Sequence, residues 1–150
     1  MTIRVVDHGA NALVRSFNEL KSDRSVKVGV FGDRASAAHT GSDETVGDIA
    51  AKHEFGIDVP RRSFLRDYID KEQQNLLEML KTLEVRVLEG KMSEEAALEL
   101  FGIMVVGGIQ ERITQGIAPP NAQSTKDRKG SSTPLIDKSQ LLQSIASEVL

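Results

Sequence analysis

The chain has 150 residues, 39% hydrophobic and 27% charged, the balance of one folded domain spanning 1–150. Roughly 68–70% of the unfolded surface can be buried at this length, and with aromatics at 4% and no Trp the core must be Leu, Ile, Val and Ala. The net charge of −3 argues against a general nucleic-acid binder, and the absence of Cys excludes disulfides, thiolate metal sites and Cys nucleophiles.

Met1-Thr2-Ile3-Arg4 lacks a charged region followed by a long apolar run, so no signal peptide is expected. Residues 3–6 fit a short strand. Asp7 suits a helix N-cap, and Ala10, Leu13, Phe17 and Leu20 follow on one helical face. Val26, Val28 and Val30 alternate with Lys27 and Gly29, the pattern of a half-buried strand. From Gly32 to about Glu44 the chain is rich in Ser, Gly and Asp and reads as a mobile surface loop.

Thr45-Val46-Gly47-Asp48 resembles a capping box with Asp in place of Glu, predicting a short helix to Phe55 closed by Gly56. Pro60 prevents its continuation. Ser63 suits the N-cap of a long helix to about Glu89, with Leu65, Ile69, Leu76, Leu80, Leu83 and Val87 as its apolar stripe. Ser93 caps a further helix with core positions Leu98, Phe101, Val105, Ile109 and Ile113, ended by Gly116. Gly107-Gly108 inside it weakens it by about 1 kcal/mol per Gly relative to Ala, which predicts close approach by another element. Its apolar run, Ile103 to Ile109, is too short to span a membrane, and the reading is a soluble protein of the cytoplasmic side.

Residues 117–134 lack periodicity and hold Pro119, Pro120, Gly130 and Pro134, a second long loop. Asp137 and Gln140 resemble a cap before Leu141, Leu142 and Ile145, and Ala146 to Leu150 either extend that helix or form a last strand. The expected fold class is α+β: a small, mainly antiparallel sheet packed with one long helix and three or four further helices, with long exposed loops at about 33–44 and 117–134.

No constellation of catalytic residues emerges. His53-Glu54 lacks the second His of H-E-x-x-H because position 57 is Ile, and His8, His39 and His53 share no ligand spacing. Asp43 and Glu44 sit in a polar segment without the burial that separates two carboxylates into acid and base. Gly29-Val30-Phe31-Gly32 lacks a third Gly, no Gly-Lys-Ser/Thr element is present, and Ser36, Ser42, Ser131 and Ser132 lie in no G-x-S-x-G pattern. No catalytic residue, metal or cofactor is therefore expected. Two basic groups stand out, Arg61, Arg62 and Arg66 beside the Pro60 turn, and Lys126, Arg128 and Lys129 in the second loop. They read as solvated charges, as subunit–subunit ion pairs or as phosphate contacts.

Two segments carry a family resemblance. The first runs Ala50, Glu54-Phe55-Gly56, Pro60-Arg61 and Phe64-Leu65-Arg66 into the long helix; the second runs Pro134-Leu135-Ile136-Asp137, Leu141 and Ser144-Ile145. With Pro119-Pro120 and Thr125-Lys126 between them and the Val28–Phe31 strand before them, their order resembles head–tail joining, neck or tail-completion proteins of tailed bacteriophages over roughly residues 26–146. The chain departs from that pattern at Ser63, where the family often has Pro, and at Lys138-Ser139, where it has Thr-Gly.

The resemblance implies a small α+β virion subunit without enzyme activity, a homo-oligomer assembling into a commonly hexameric ring at the head–tail junction. Its partners would be the phage connector and the tail tube or tail terminator, with DNA passing through the lumen without specific binding, and no membrane. The assembly candidates are Glu54, Phe55, Pro60, Arg61, Arg62, Phe64, Arg66, Pro119, Pro120, Lys126 and Arg128. A tail terminator or minor tail protein, and a nucleic-acid-binding accessory protein, are the alternative readings.

Overall fold

In the computed structural model the described residues are 14, 18, 23–40, 43–118 and 139–150. The expected strand at 3–6, the Asp7 cap and the Asp137 cap lie outside them, as does all but the start of the 117–134 loop. The described elements run β1 (Val26–Gly29), α1 (Gly32–Ser36), α2 (Val46–Phe55), α3 (Phe64–Leu88), α4 (Glu94–Gln115), α5 (Gln140–Ser144) and β2 (Ala146–Val149). This is an α+β fold with one long helix and a two-stranded antiparallel sheet.

The sheet joins the two ends of the described chain. Val26 pairs with Val149, Lys27 with Glu148, Val28 with Ser147 and Gly29 with Ala146. The alternative left open for residues 146–150 thus resolves to a strand. Its register places Lys27 directly opposite Glu148, 2.7 Å apart, and the Lys27 ammonium also lies 4.2 Å from the centre of the Phe31 ring.

The segment expected to be a bare loop from Gly32 holds the short helix α1 and a bridge between Ala38 and Thr45. Neither has an apolar stripe to announce it. Both are held from a distance instead. The Arg34 guanidinium donates to the carbonyls of Gln143 and Ile145, each at 3.3 Å. The Gln140 amide accepts from the Thr40 N–H at 2.8 Å and donates to the Ala38 carbonyl at 3.2 Å.

The capping box before α2 forms as expected. Thr45 Oγ1 accepts from the Asp48 N–H at 3.1 Å, and the Asp48 carboxylate accepts from the Thr45 hydroxyl and N–H. These hydrogen bonds hold the Asp48 carboxyl below its ordinary pKa. Gly56 then takes the left-handed conformation and closes the helix onto Lys52.

At 25 residues α3 is about 37 Å long. It reverses at Gly90 (φ +70°) and packs antiparallel against α4, bringing Leu83 and Val87 to Ala97 at one end and Asp67 to Arg112 at the other. Ser93 caps α4 as expected, accepting from the Ala96 N–H at 3.2 Å. The main core lies where α2, α4 and α5 meet the start of α3, and Val46, Phe64, Ile109, Ile113 and Ile145 are its most buried members. Ile69, assigned to the α3 stripe, is exposed instead.

Of the two glycines expected to admit another element, Gly108 does so: a Cβ there would strike the Tyr68 hydroxyl of α3. Gly102 does the same for the sheet, since its Cβ would lie 2.7 Å from Ser147 Cβ and 2.9 Å from Val26 Cγ2. A Cβ on Gly107 meets nothing within 4 Å among the described residues.

Candidate functional site at the Pro60 corner

Between α2 and α3 the chain turns through Gly56 to Ser63 and is clamped from both sides. Gly56 is required twice. Its φ is +75°, and a Cβ on it would lie 2.8 Å from Arg61 Cβ. Asp58 also takes a left-handed conformation, φ 58°. The Arg62 N–H donates to the His53 carbonyl at 2.8 Å.

Ser63 occupies the N-cap position, but its side chain makes no capping bond. Its hydroxyl donates to the Glu54 carbonyl at 2.7 Å and accepts from Arg61 Nε at 2.7 Å. The cap comes from Glu54 instead. Its carboxylate accepts from the Leu65 N–H at 3.0 Å and the Arg66 N–H at 3.2 Å. Glu54 is only 8% exposed. Its charge sits on the positive end of the α3 dipole, where a carboxylate is most favoured. The expected serine cap is corrected here: the hydroxyl is drawn to the Glu54 carbonyl, and the stronger acceptor takes the helix N–H groups.

The corner divides the candidate residues into two sets. Glu54, Arg62 at 5% exposure and Phe64 at 0% turn inward. Burial pushes the Arg62 guanidinium below its ordinary pKa. Phe64 belongs to the main core, so of the assembly candidates Phe64 and Arg62 are not on the surface. The outer face consists of Phe55 (63% exposed), Ile57 (49% exposed), Asp58, Pro60, Arg61 and Arg66. Ile57 was missed in the sequence, where an apolar residue between Gly56 and Pro60, in a turn with no periodicity, was the available signal. Pro119, Pro120, Lys126 and Arg128 lie outside the described residues.

No family model, curated protein or solved structure matches this chain. The corner is therefore read on its chemistry alone. It offers two guanidinium groups and the Asp58 carboxylate beside two exposed apolar side chains, a surface suited to a partner carrying mainly carboxylates around an apolar patch. Among the described residues no group of three His, Asp or Glu side chains is placed to hold a metal ion. Among them, too, no helix is long and apolar enough to cross a membrane.

Proposed function

We propose that this chain is a structural subunit of a tailed-phage virion, of the neck or tail-completion type, which builds a ring at the head–tail junction. One observation carries the reading. The two segments on which the resemblance rests are about 80 residues apart, yet Ala50 and Phe64 of the first and Leu141 and Ile145 of the second share one core. They act as a single structural unit, and the Pro60 corner is exposed on it. A corner fixed from within by Glu54, with Phe55 and Ile57 left outside, suits a joint between subunits. DNA would pass through the ring's lumen, past a chain of net charge −3.

Electron microscopy of lysates from a phage lacking this gene tests the proposal. Full heads and finished tails that remain separate are the expected result. Joined, infectious particles would refute it, and overlong tails would assign the chain to the tail terminator instead.

A further inference from the structure

The outer face of α4 carries Glu95, Glu99, Ile103, Gly107 and Glu111 at four-residue intervals, and all five are exposed. Ile103 is 64% exposed, more than any other large apolar residue described. Beside it, Ile103, Val106 and Gly107 form one wall of a groove of about 390 Å³, and Ile145, Ala146 and Ser147 form the other. Arg34 stands in the groove with its guanidinium committed to the carbonyls of Gln143 and Ile145.

Gly107 is the feature that the fold leaves unexplained. A glycine inside a helix weakens it. Gly102 and Gly108 have their reasons, since Ser147, Val26 and Tyr68 occupy the space a side chain would need. The space over Gly107 is open among the described residues, and it opens into the groove beside the most exposed isoleucine. A bare stretch of helix backbone next to an exposed apolar side chain permits close approach from outside.

We infer that this groove receives the Pro60 corner of a second copy of this chain. The corner brings Phe55 and Ile57 to the apolar wall and the Gly107 notch. It brings Arg61 and Arg66 to a helix face whose exposed charges on either side of Ile103 and Gly107 are Glu99 and Glu111. Each side also carries one charge of the other sign, Asp58 on the corner and Arg34 in the groove, so the contact sets Arg61 and Arg66 against Glu99 and Glu111 and Asp58 toward Arg34. No corner residue lines the groove of its own chain, so each copy offers two different patches. Such a contact is heterologous and repeats from copy to copy until a ring closes. The choice of a second copy as occupant rests on the ring reading above.

The chain has no Cys, so single-thiol variants report the contact without interference. F55C and I103C proteins are prepared separately, tested for thiol reactivity, then mixed and treated with a short bis-maleimide. The mixture is expected to give a cross-linked dimer at about tenfold or more the yield of either variant alone, and the F55C/I103C double variant a ladder. In the otherwise unchanged chain, G107A is expected to raise the unfolding temperature of the dilute protein while weakening self-association about tenfold, a pairing that a purely structural glycine would not produce. Four results overturn the inference. The I103C variant cross-linking to itself as well as to F55C means a symmetric α4 contact. An I103C thiol unreactive in the dilute protein means that the chain's own segment fills the groove. Rings seen by microscopy without the mixed cross-link mean a different interface, with the ring reading intact. A chain that stays monomeric at every concentration and on tail and connector particles removes both.

Discussion

The Glu54 carboxylate accepts the Leu65 N–H at 3.0 Å from eleven residues away, so the last turn of one helix caps the first turn of the next. Helix α3 therefore begins where α2 places it. The geometry of the corner follows from one buried side chain, and the exposed Phe55 and Arg66 stand at fixed positions on either side of it.

Removing that carboxylate should loosen the corner before it unfolds the protein. Glu54→Ala leaves two helix N–H groups without their acceptor in a buried place and should lower stability by about 2–3 kcal/mol. Glu54→Gln keeps one oxygen acceptor and loses the charge, and should cost about 1 kcal/mol. Urea unfolding followed by circular dichroism measures both. Equal losses for the two variants would mean that the helix-end bonds carry no share of the effect.

The glycines of α4 should separate by what lies over them. Gly102→Ala places a methyl against Ser147 Cβ, an atom tied to the backbone of β2, and should destabilise by about 1–3 kcal/mol despite the gain in helix propensity. Gly108→Ala meets the far end of the Tyr68 side chain, which can swing aside, so the net change should be smaller. Burial also pushes the Tyr68 phenol above its ordinary pKa, with the charges of Glu72 and Glu111 adding to it. Displacing the ring into solvent in Gly108→Ala should bring that pKa back toward 10, read by ultraviolet difference titration.

The sequence carried the helices well and the joints between them poorly. Helices α2, α3 and α4 fall within a residue or two of expectation, because an apolar stripe bounded by Thr45, Gly56, Gly90, Ser93 or Gly116 is a local signal. The α3 cap was assigned to the nearest hydroxyl, Ser63, because its real donor of charge lies in another helix. Helix α1 was invisible for the same reason: Arg34 is held by carbonyls more than 100 residues away. Within the candidate site, the composition of the Pro60 corner was legible. The inward turn of Arg62 and Phe64 was not, since spacing along a turn says nothing about which side faces the core.

Acid should weaken the link between α3 and α4. The Asp67 carboxylate lies 2.6 Å from Arg112 Nε and 2.8 Å from Lys71 Nζ. Burial works against its charge, but the hydrogen bonds from Lys71 and Arg112 outweigh this and hold its pKa below the ordinary 3.8. A depressed pKa contributes stability that is fully present above the unfolded value and is lost as pH falls through the folded one. The loss should therefore begin below about pH 5 and deepen toward the folded value. Asp67→Asn should cost about 1 kcal/mol at neutral pH and flatten this acid limb, measured as unfolding midpoints from pH 7 down to pH 2. An unchanged acid limb would assign the pH dependence to other carboxylates.

Deleting residues 146–150 should remove far more than five residues' worth of contacts. Strand β2 is the only partner of β1 among the described residues, and Ser147 fills the notch that Gly102 leaves in α4. Without β2, Val26 and Val28 lose their ladder, the Lys27–Glu148 pair disappears, and α4 is left with a bare glycine facing solvent. Two strands are the minimum a ladder can have, so no other described strand shares the loss. The truncated chain should retain the α3–α4 hairpin as helical circular dichroism but lose cooperative thermal unfolding and bind a hydrophobic dye. A sharp two-state transition at the midpoint of the full chain would show instead that the helices carry the fold alone.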